Sequence, residues 1–265
     1  VMWCKKNRYI RKANGEMDCP ASNLNLCGFL GGVLCVPDGA YREFLTEYAN
    51  EIAEPPCAQF LTECRGPTFR YYVDFDIVRP QAFSDQQIDT LAATIHATIC
   101  KFTTADVSRC IMLLAPTASS DKGIKTGIHA IMPNLIVDRA RALDARAALL
   151  ASLPEAFPDF TMEEWVEAVD ASVYNDDKSG LRMLGSNKVR ACVVCRNASD
   201  KRKECTHCVY TGKEDVGRAY AVHAAYALGV RDDVLTAKLK ANVHLAVRQT
   251  SIRVAAADAW EPKEL

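Results

Sequence analysis

The segment Arg70-Tyr71-Tyr72-Val73-Asp74-Phe75-Asp76-Ile77-Val78 constrains the fold more than any other stretch of this chain. Aromatic and β-branched residues alternate with polar ones, which is the period-2 pattern of a strand. As a strand it turns Tyr71, Val73, Phe75 and Ile77 toward a core. Asp74 and Asp76 then share the opposite face, about 7 Å apart at Cα. Two neighbouring carboxylates repel, and a divalent cation removes that cost. Metal binding is one reading of the pair, and solvated aspartates on a half-exposed strand the other. Both require a sheet with one covered face and one polar face.

Further elements can be placed around this strand. Tyr41 to Ala53 reads as an amphipathic helix, with Phe44, Leu45, Tyr48 and Ile52 on one side and Pro55-Pro56 as its stop. Ser84-x-x-Gln87 and Thr161-x-x-Glu164 are capping boxes, the first opening a helix to about Lys101. Asp138 to Ser152 forms another helix, and Cys110–Ala115 and Gly127–Pro133 read as strands. Gly212 to Leu228 and Asp232 to Leu245 read as mainly helical. The expected class is α+β, of α/β type. We divide it into an unassigned segment 1–39, a catalytic core 40–190, a cysteine module 191–210 and a mainly helical part 211–265.

Twelve cysteines are many for 265 residues. Eight of them, Cys4, Cys19, Cys27, Cys35, Cys57, Cys64, Cys100 and Cys110, have no ligand-like spacing and read as reduced thiols of an intracellular protein. Cys192-x2-Cys195 and Cys205-x2-Cys208 differ, because each short pair can offer two thiolates to one tetrahedral zinc. That zinc is expected to be structural. The apolar runs are short and broken, so no membrane span is expected. The chain opens on Val1 without a secretory signal, and we read it as a piece of something longer. The net charge of −1 excludes a uniformly basic nucleic-acid coat, but Lys178 to Lys203 holds eight basic residues against Asp200 alone.

Two more groups of residues carry chemistry. In Lys125-Thr126-Gly127-Ile128-His129, a strand places His129 on the face of Gly127, where a missing side chain leaves room for a ligand. Such a histidine could meet a phosphate or a metal, or be an ordinary hydrogen-bonded core residue. Downstream, Asp170 follows two apolar residues and could complete a carboxylate triad. Arg182 and Lys188 flank the turn Gly185-Ser186, a forked guanidinium and a point-charge ammonium suited to a triphosphate.

In this order, an Asp-x-Asp strand, a Gly-x-His strand, then Asp170 with Ser172-Val173-Tyr174, and Leu181-Arg182-Met183-x-Gly185-Ser186-x-Lys188, the set resembles the archaeo-eukaryotic primase superfamily. It is most similar to the primase domain of helicase-primases of large DNA viruses. Phe60–Arg65 and Thr250-Ser251-Ile252-Arg253 add to the likeness, which covers roughly residues 40–254. The resemblance implies a two-layer catalytic core with a sheet like that of the RNA-recognition fold, plus an inserted zinc-ribbon-like module. It implies that Asp74, Asp76 and Asp170 ligate two Mg²⁺ or Mn²⁺ ions. His129, Arg182 and Lys188 would hold the incoming NTP or dNTP, with Ser186 and Lys125 as weaker candidates. Lys201, Arg202 and Lys203 would meet the backbone of a single-stranded DNA template.

The expected activity is that of a DNA primase or primase-polymerase. A metal-dependent nuclease and a non-catalytic zinc-ribbon module that binds nucleic acid are the alternatives. No Gly-x4-Gly-Lys-Ser/Thr pattern occurs, so a helicase region is expected elsewhere in a longer chain. The expected setting is the nucleus or a viral replication site.

Overall fold

The computed structural model describes residues 10–11, 22–24, 32–34, 36–54, 59–103, 107–175, 179–196, 204–206 and 213–254. Lys201, Arg202, Lys203, Cys208 and the Pro55-Pro56 stop lie outside the described residues.

The chain begins with β1 (Ile10–Arg11), β2 (Ser22–Leu24), β3 (Gly32–Leu34), α1 (Asp38–Ala53) and β4 (Leu61–Cys64). The central part follows as β5 (Thr68–Arg79), α2 (Asp85–Ile99), β6 (Arg109–Leu114), β7 (Ala118–Ser120), β8 (Gly123–Asp138), α3 (Arg139–Ala156) and α4 (Met162–Ala168). A 3₁₀ turn (Ser172–Tyr174) leads to β9 (Gly180–Arg182), β10 (Lys188–Ala191), β11 (Lys213–Gly217), β12 (Ala221–Ala227) and β13 (Val230–Arg231). The last helices are α5 (Asp233–Ala241) and α6 (Val243–Thr250).

Among the described residues the strands form three antiparallel sheets. The largest has the order β13-β12-β6-β8-β5, with β7 paired to β8. A second has the order β1-β3-β2-β4-β9, and β10 pairs with β11 in the third. In the largest sheet the succession β5-α2-β6-β8-α3, closed later by β12, is the strand–helix–strand–strand–helix–strand order of the split βαβ fold. Here the closing strand lies beside β6. The α+β class and the sheet expected of the core are therefore present.

Local sequence explains the boundaries. Ser84 accepts the Gln87 N–H at 3.3 Å while the Gln87 side chain accepts the Ser84 N–H at 2.9 Å, so the capping box forms and α2 starts there. Thr161 and Glu164 do the same for α4, and Asp138 caps α3 through the Arg141 N–H. Tyr71, Val73, Phe75 and Ile77 are all essentially buried, as the alternation requires, in one core with Ile88, Leu91 and Ile95 of α2 and Leu149 and Leu153 of α3.

Strand β8 runs past the expected end at Pro133. Its pairing with β5 is irregular between Arg70 and Tyr71, where the partner jumps from Ile136 to Met132. Pro133, which has no N–H to donate, falls within that jump. The expected helix over Gly212–Leu228 is not formed, since β11 and β12 occupy it. Its alanines favour a helix locally, yet Ala224 and Ala225 are fully buried in the sheet, and tertiary packing overrides the propensity. The second helical expectation holds, as α5 and α6. Among the described residues, no helix is long and apolar enough to cross a membrane.

A buried clasp joins the two larger sheets. The carboxylate of Glu63 accepts from the Tyr41 hydroxyl, from Ser251 Oγ at 2.5 Å and from the Ile252 N–H at 2.7 Å. Arg253 lies over the Tyr41 ring at 4.0 Å and reaches Asp38 at 2.7 Å. This draws the 251–254 segment onto β4 and the start of β5, where the Arg70 N–H donates to the Ile252 carbonyl at 2.8 Å. Glu63→Ala strands several buried donors and is expected to cost about 3 kcal/mol or more. A lowered urea midpoint checks this. Gly180→Ala is expected to be comparably damaging, because its Cβ would fall 1.9 Å from the Glu63 carbonyl oxygen.

Candidate active site

The pairing of β5 with β8 sets the site. Asp74 lies opposite His129, and Asp76 opposite Gly127. Directly paired residues share a face, so both aspartates, His129 and Lys125 project to the side away from α2 and α3. The lower part of this face is sealed by Tyr72, whose hydroxyl donates to the Val173 carbonyl at 2.8 Å, and by Tyr174, which stacks 6.2 Å from Phe69. The upper part stays open around Asp76.

Asp170 joins the pair through the backbone. Val169 forms a bridge with Phe75, and the Asp170 N–H donates to the Asp74 carbonyl at 2.9 Å. Arg146 fixes the approach by donating to the Val169 carbonyl at 2.6 Å. The Asp170 carboxylate accepts from Ser172 N–H at 2.7 Å and Ser172 Oγ at 2.9 Å. The Ser-Val-Tyr stretch thus aims Asp170 (Ser172) and closes the site floor (Tyr174).

Burial, with the neighbouring charges of Asp76 and Asp170, pushes the Asp74 carboxyl up to about 7, against the pull of Arg182 and Lys125. Its Oδ1 is buried and hydrogen-bonds to nothing among the described residues. The nearest base is His129 Nε2 at 3.6 Å. Burial, and secondarily Arg182, holds His129 well below its ordinary value, so the imidazole is neutral.

Cations rim the carboxylates. Lys125 pairs with Asp76 at 2.6 Å. Burial and the crowding of Lys125, Arg182 and Arg218 lower the Lys188 ammonium, with Asp76 opposing. Arg182 Nη1 donates to the Arg218 carbonyl at 2.9 Å. The structure thus brings together Asp74, Asp76, Asp170, His129, Lys125, Arg182 and Lys188.

Ser186 is placed elsewhere, which corrects its reading as a nucleotide contact. It is fully buried, its Oγ accepts the Leu61 N–H at 2.9 Å, and the Tyr48 hydroxyl lies 2.8 Å away. It locks the 184–187 turn onto α1 and β4. Gly127 is also reread. A Cβ there would lie 3.0 Å from the hydroxyl of Tyr220, so the missing side chain admits that ring rather than a ligand. Arg218 and Tyr220 were not singled out from sequence, because their segment read as helix. The signal was present in Tyr220, Val222, Ala224 and Tyr226, an alternation of period 2.

Three carboxylates with one orphaned, buried oxygen fit a hard divalent cation, which would satisfy that oxygen and offset the repulsion. Cys192, Cys195 and Cys205 are buried with their Sγ atoms within 4.8 Å of one another, a soft donor set. Three of the four expected thiols are therefore together, and the fourth, Cys208, is outside the described residues.

Compared with known families, residues 27–197 match the C962R protein N-terminal AEP domain, an archaeo-eukaryotic primase-type domain of large DNA viruses. The match spans more than half of the chain. The chain belongs to this archaeo-eukaryotic primase family. No curated protein matches it. The primase match includes Asp74, Asp76, His129, Asp170, Arg182, Lys188 and the first cysteine pair, and it stops before Cys205, Arg218 and Tyr220. Membership supports nucleotidyl transfer of primase or primase-polymerase type at the level of the family.

The raised Asp74 carboxyl gives this primase domain a pH signature. An unfolded aspartate ionises near pH 4 and Asp74 in the fold near 7. Its stabilising contribution is thus complete below about pH 4 and is lost as pH rises through 7. In metal-free protein, Asp74→Asn is expected to gain on the order of 2–4 kcal/mol over wild type at pH 8 and nothing near pH 4. Added Mn²⁺ should raise the melting temperature of the wild type much more than that of the variant. Melting curves at the two pH values check both outcomes.

Proposed function

We propose that this chain is a template-directed nucleotidyltransferase, a DNA primase or primase-polymerase acting on single-stranded DNA. It joins an NTP or dNTP to a 3′-hydroxyl and releases pyrophosphate. The observation that carries the reading is the orphaned oxygen of Asp74 grouped with Asp76 and Asp170 beneath a rim of cations.

In this reading Asp74, Asp76 and Asp170 hold two divalent cations, Mg²⁺ or Mn²⁺. When bound, these supply charge neutralisation and acidify the attacking hydroxyl. The chain's own side chains then bind and orient the triphosphate, which is most of what phosphoryl transfer asks of a protein. Arg182 offers a planar fork of donors, and Lys188 and Lys125 offer point charges. The depressed Lys188 ammonium is relieved when a polyanion arrives. His129, being neutral, offers a hydrogen-bond donor to a phosphate oxygen without adding charge. A nuclease could use the same carboxylates, but it gives Arg182, Lys188 and Lys125 no triphosphate to bind.

The decisive measurement is incorporation of labelled ATP or dATP on unprimed and primed single-stranded DNA with Mg²⁺ or Mn²⁺. Products from unprimed template are expected with wild type. Asp74→Ala/Asp76→Ala should lower them at least a thousandfold with the fold retained. Template degradation without added triphosphate would favour the nuclease instead. Equal synthesis by the double variant would overturn the site.

Cys192, Cys195, Cys205 and Cys208 would hold a structural zinc, with Lys201, Arg202 and Lys203 between the cysteine pairs facing the template backbone. One zinc per chain is expected by elemental analysis. Cys192→Ser should lose it and lower thermal stability, while leaving Mn²⁺ binding at Asp74 intact.

A further inference from the structure

Tyr220 lies in the three-residue connection between β11 and β12, beyond the segment that matches the primase family. Only 3% of its surface is exposed. Its ring stacks on the His129 imidazole, with centroids 3.4 Å apart and planes 30° apart. The Arg182 guanidinium lies over the same ring, 4.6 Å from its centroid. One aromatic side chain thus touches two groups that the nucleotide reading assigns to the triphosphate, on two different sheets.

The backbone around Tyr220 is built for this placement. Gly217 and Arg218 are both left-handed, at φ 68° and 61°. A non-glycine residue in that region is uncommon and costs on the order of 1 kcal/mol. The turn puts the Arg218 carbonyl where it accepts from Arg182 Nη1, so the same connection holds Arg182 twice. The Tyr220 carbonyl accepts the Gly185 N–H at 2.9 Å, which fastens the connection to the turn before Lys188. On the far side, Gly127 leaves the Tyr220 hydroxyl room that a Cβ would crowd at 3.0 Å. Among the described residues the hydroxyl makes no hydrogen bond. The contacts of Tyr220 to the site are therefore contacts of its ring.

An arginine side chain has many rotamers, and binding a phosphate requires freezing them. A ring and a carbonyl that hold the guanidinium beforehand remove much of that cost. We propose that Tyr220 is a positioning residue of the nucleotide site, its ring setting the orientation of His129 and Arg182 beside Asp74. The inference rests on the nucleotide reading given above.

The experiment is equilibrium binding of Mg²⁺–ATP and Mg²⁺–dATP to the full chain, with Mn²⁺ binding measured alongside. Tyr220→Leu is expected to weaken nucleotide binding about tenfold while Mn²⁺ binding stays within about twofold. Tyr220→Phe keeps the ring and should restore affinity to within about threefold of wild type. Tyr220→Leu/Arg182→Ala should lose less affinity than the sum of the two single losses, because one of the two groups that the ring positions is already absent. A purely structural role would give additive losses. If Tyr220→Leu does not melt cooperatively, the longer, unbranched Tyr220→Met takes its place in the cycle.

Unchanged affinity in Tyr220→Leu, additive losses with Arg182→Ala, or a Tyr220→Phe as weak as Tyr220→Leu would each overturn the proposal while wild-type binding stands. A wild type that binds neither nucleotide would overturn the nucleotide reading itself, and this role with it.

Discussion

The register between β5 and β8 is the constraint on which everything else depends. Side chains alternate along a strand, so a slip of one residue would send Asp74 and Asp76 into the helices and Phe75 into solvent. The core prevents that slip, because Tyr71, Val73, Phe75 and Ile77 are all essentially buried in one core with residues of α2 and α3. The same hydrophobic face that makes the fold therefore fixes Asp74 opposite His129. The irregularity at Arg70 confines a second function to the strand's beginning. There the register with β8 shifts, Arg70 still pairs with Ile136, and its N–H donates to Ile252, so one strand serves both the carboxylate face and the clasp.

Charge is arranged in depth. The deepest carboxylate, Asp74, has an oxygen that no described residue hydrogen-bonds, while the more exposed Asp76 has Lys125 and Asp170 has Ser172. Such an arrangement is unfavourable without a cation, and the sheet tolerates it because packing elsewhere supplies the stability. The cations show the mirror image. Lys188 is crowded by Lys125, Arg182 and Arg218, a surplus of positive charge that an incoming polyanion would offset. Acidic centre and basic rim are each strained alone, and a metal–nucleotide would relieve both together.

Features that depend on neighbours in sequence were readable directly. The capping boxes at Ser84 and Thr161, the Asp138 cap and the alternation of Tyr71 to Ile77 all concern residues a few positions apart. The carboxylate triad was legible because each member sat in a recognisable local pattern. What sequence could not supply were contacts made across the fold. Ser186 looks like a phosphate-binding serine until Tyr48 and the Leu61 N–H, from two other elements, are seen to hold it. Gly127 looks like space for a ligand until Tyr220 fills it. Tyr220 was hidden because Ala221, Ala224 and Ala225 speak locally for a helix, while the gap beside β6 demands a strand with small side chains.

The cysteine cluster acquires a reason from the ribbon that carries it. Lys188 on β10 pairs with Gly217 on β11, next to Arg218, so both strands leave the site side by side. Asn187 Nδ2 donates to Asp215 at 2.9 Å across them. A two-stranded ribbon is marginal in water by itself. At its other end Cys192 follows β10 directly, and the Val193 N–H donates to Glu214 of β11 at 2.7 Å. A clamp at that end opposes fraying along the ribbon, and fraying would otherwise reach Lys188 and the turn that places Arg218 and Tyr220. A cation held by thiols there would need no chemistry of its own, because keeping the two strands paired would help to hold Lys188 and the Arg218 turn in place.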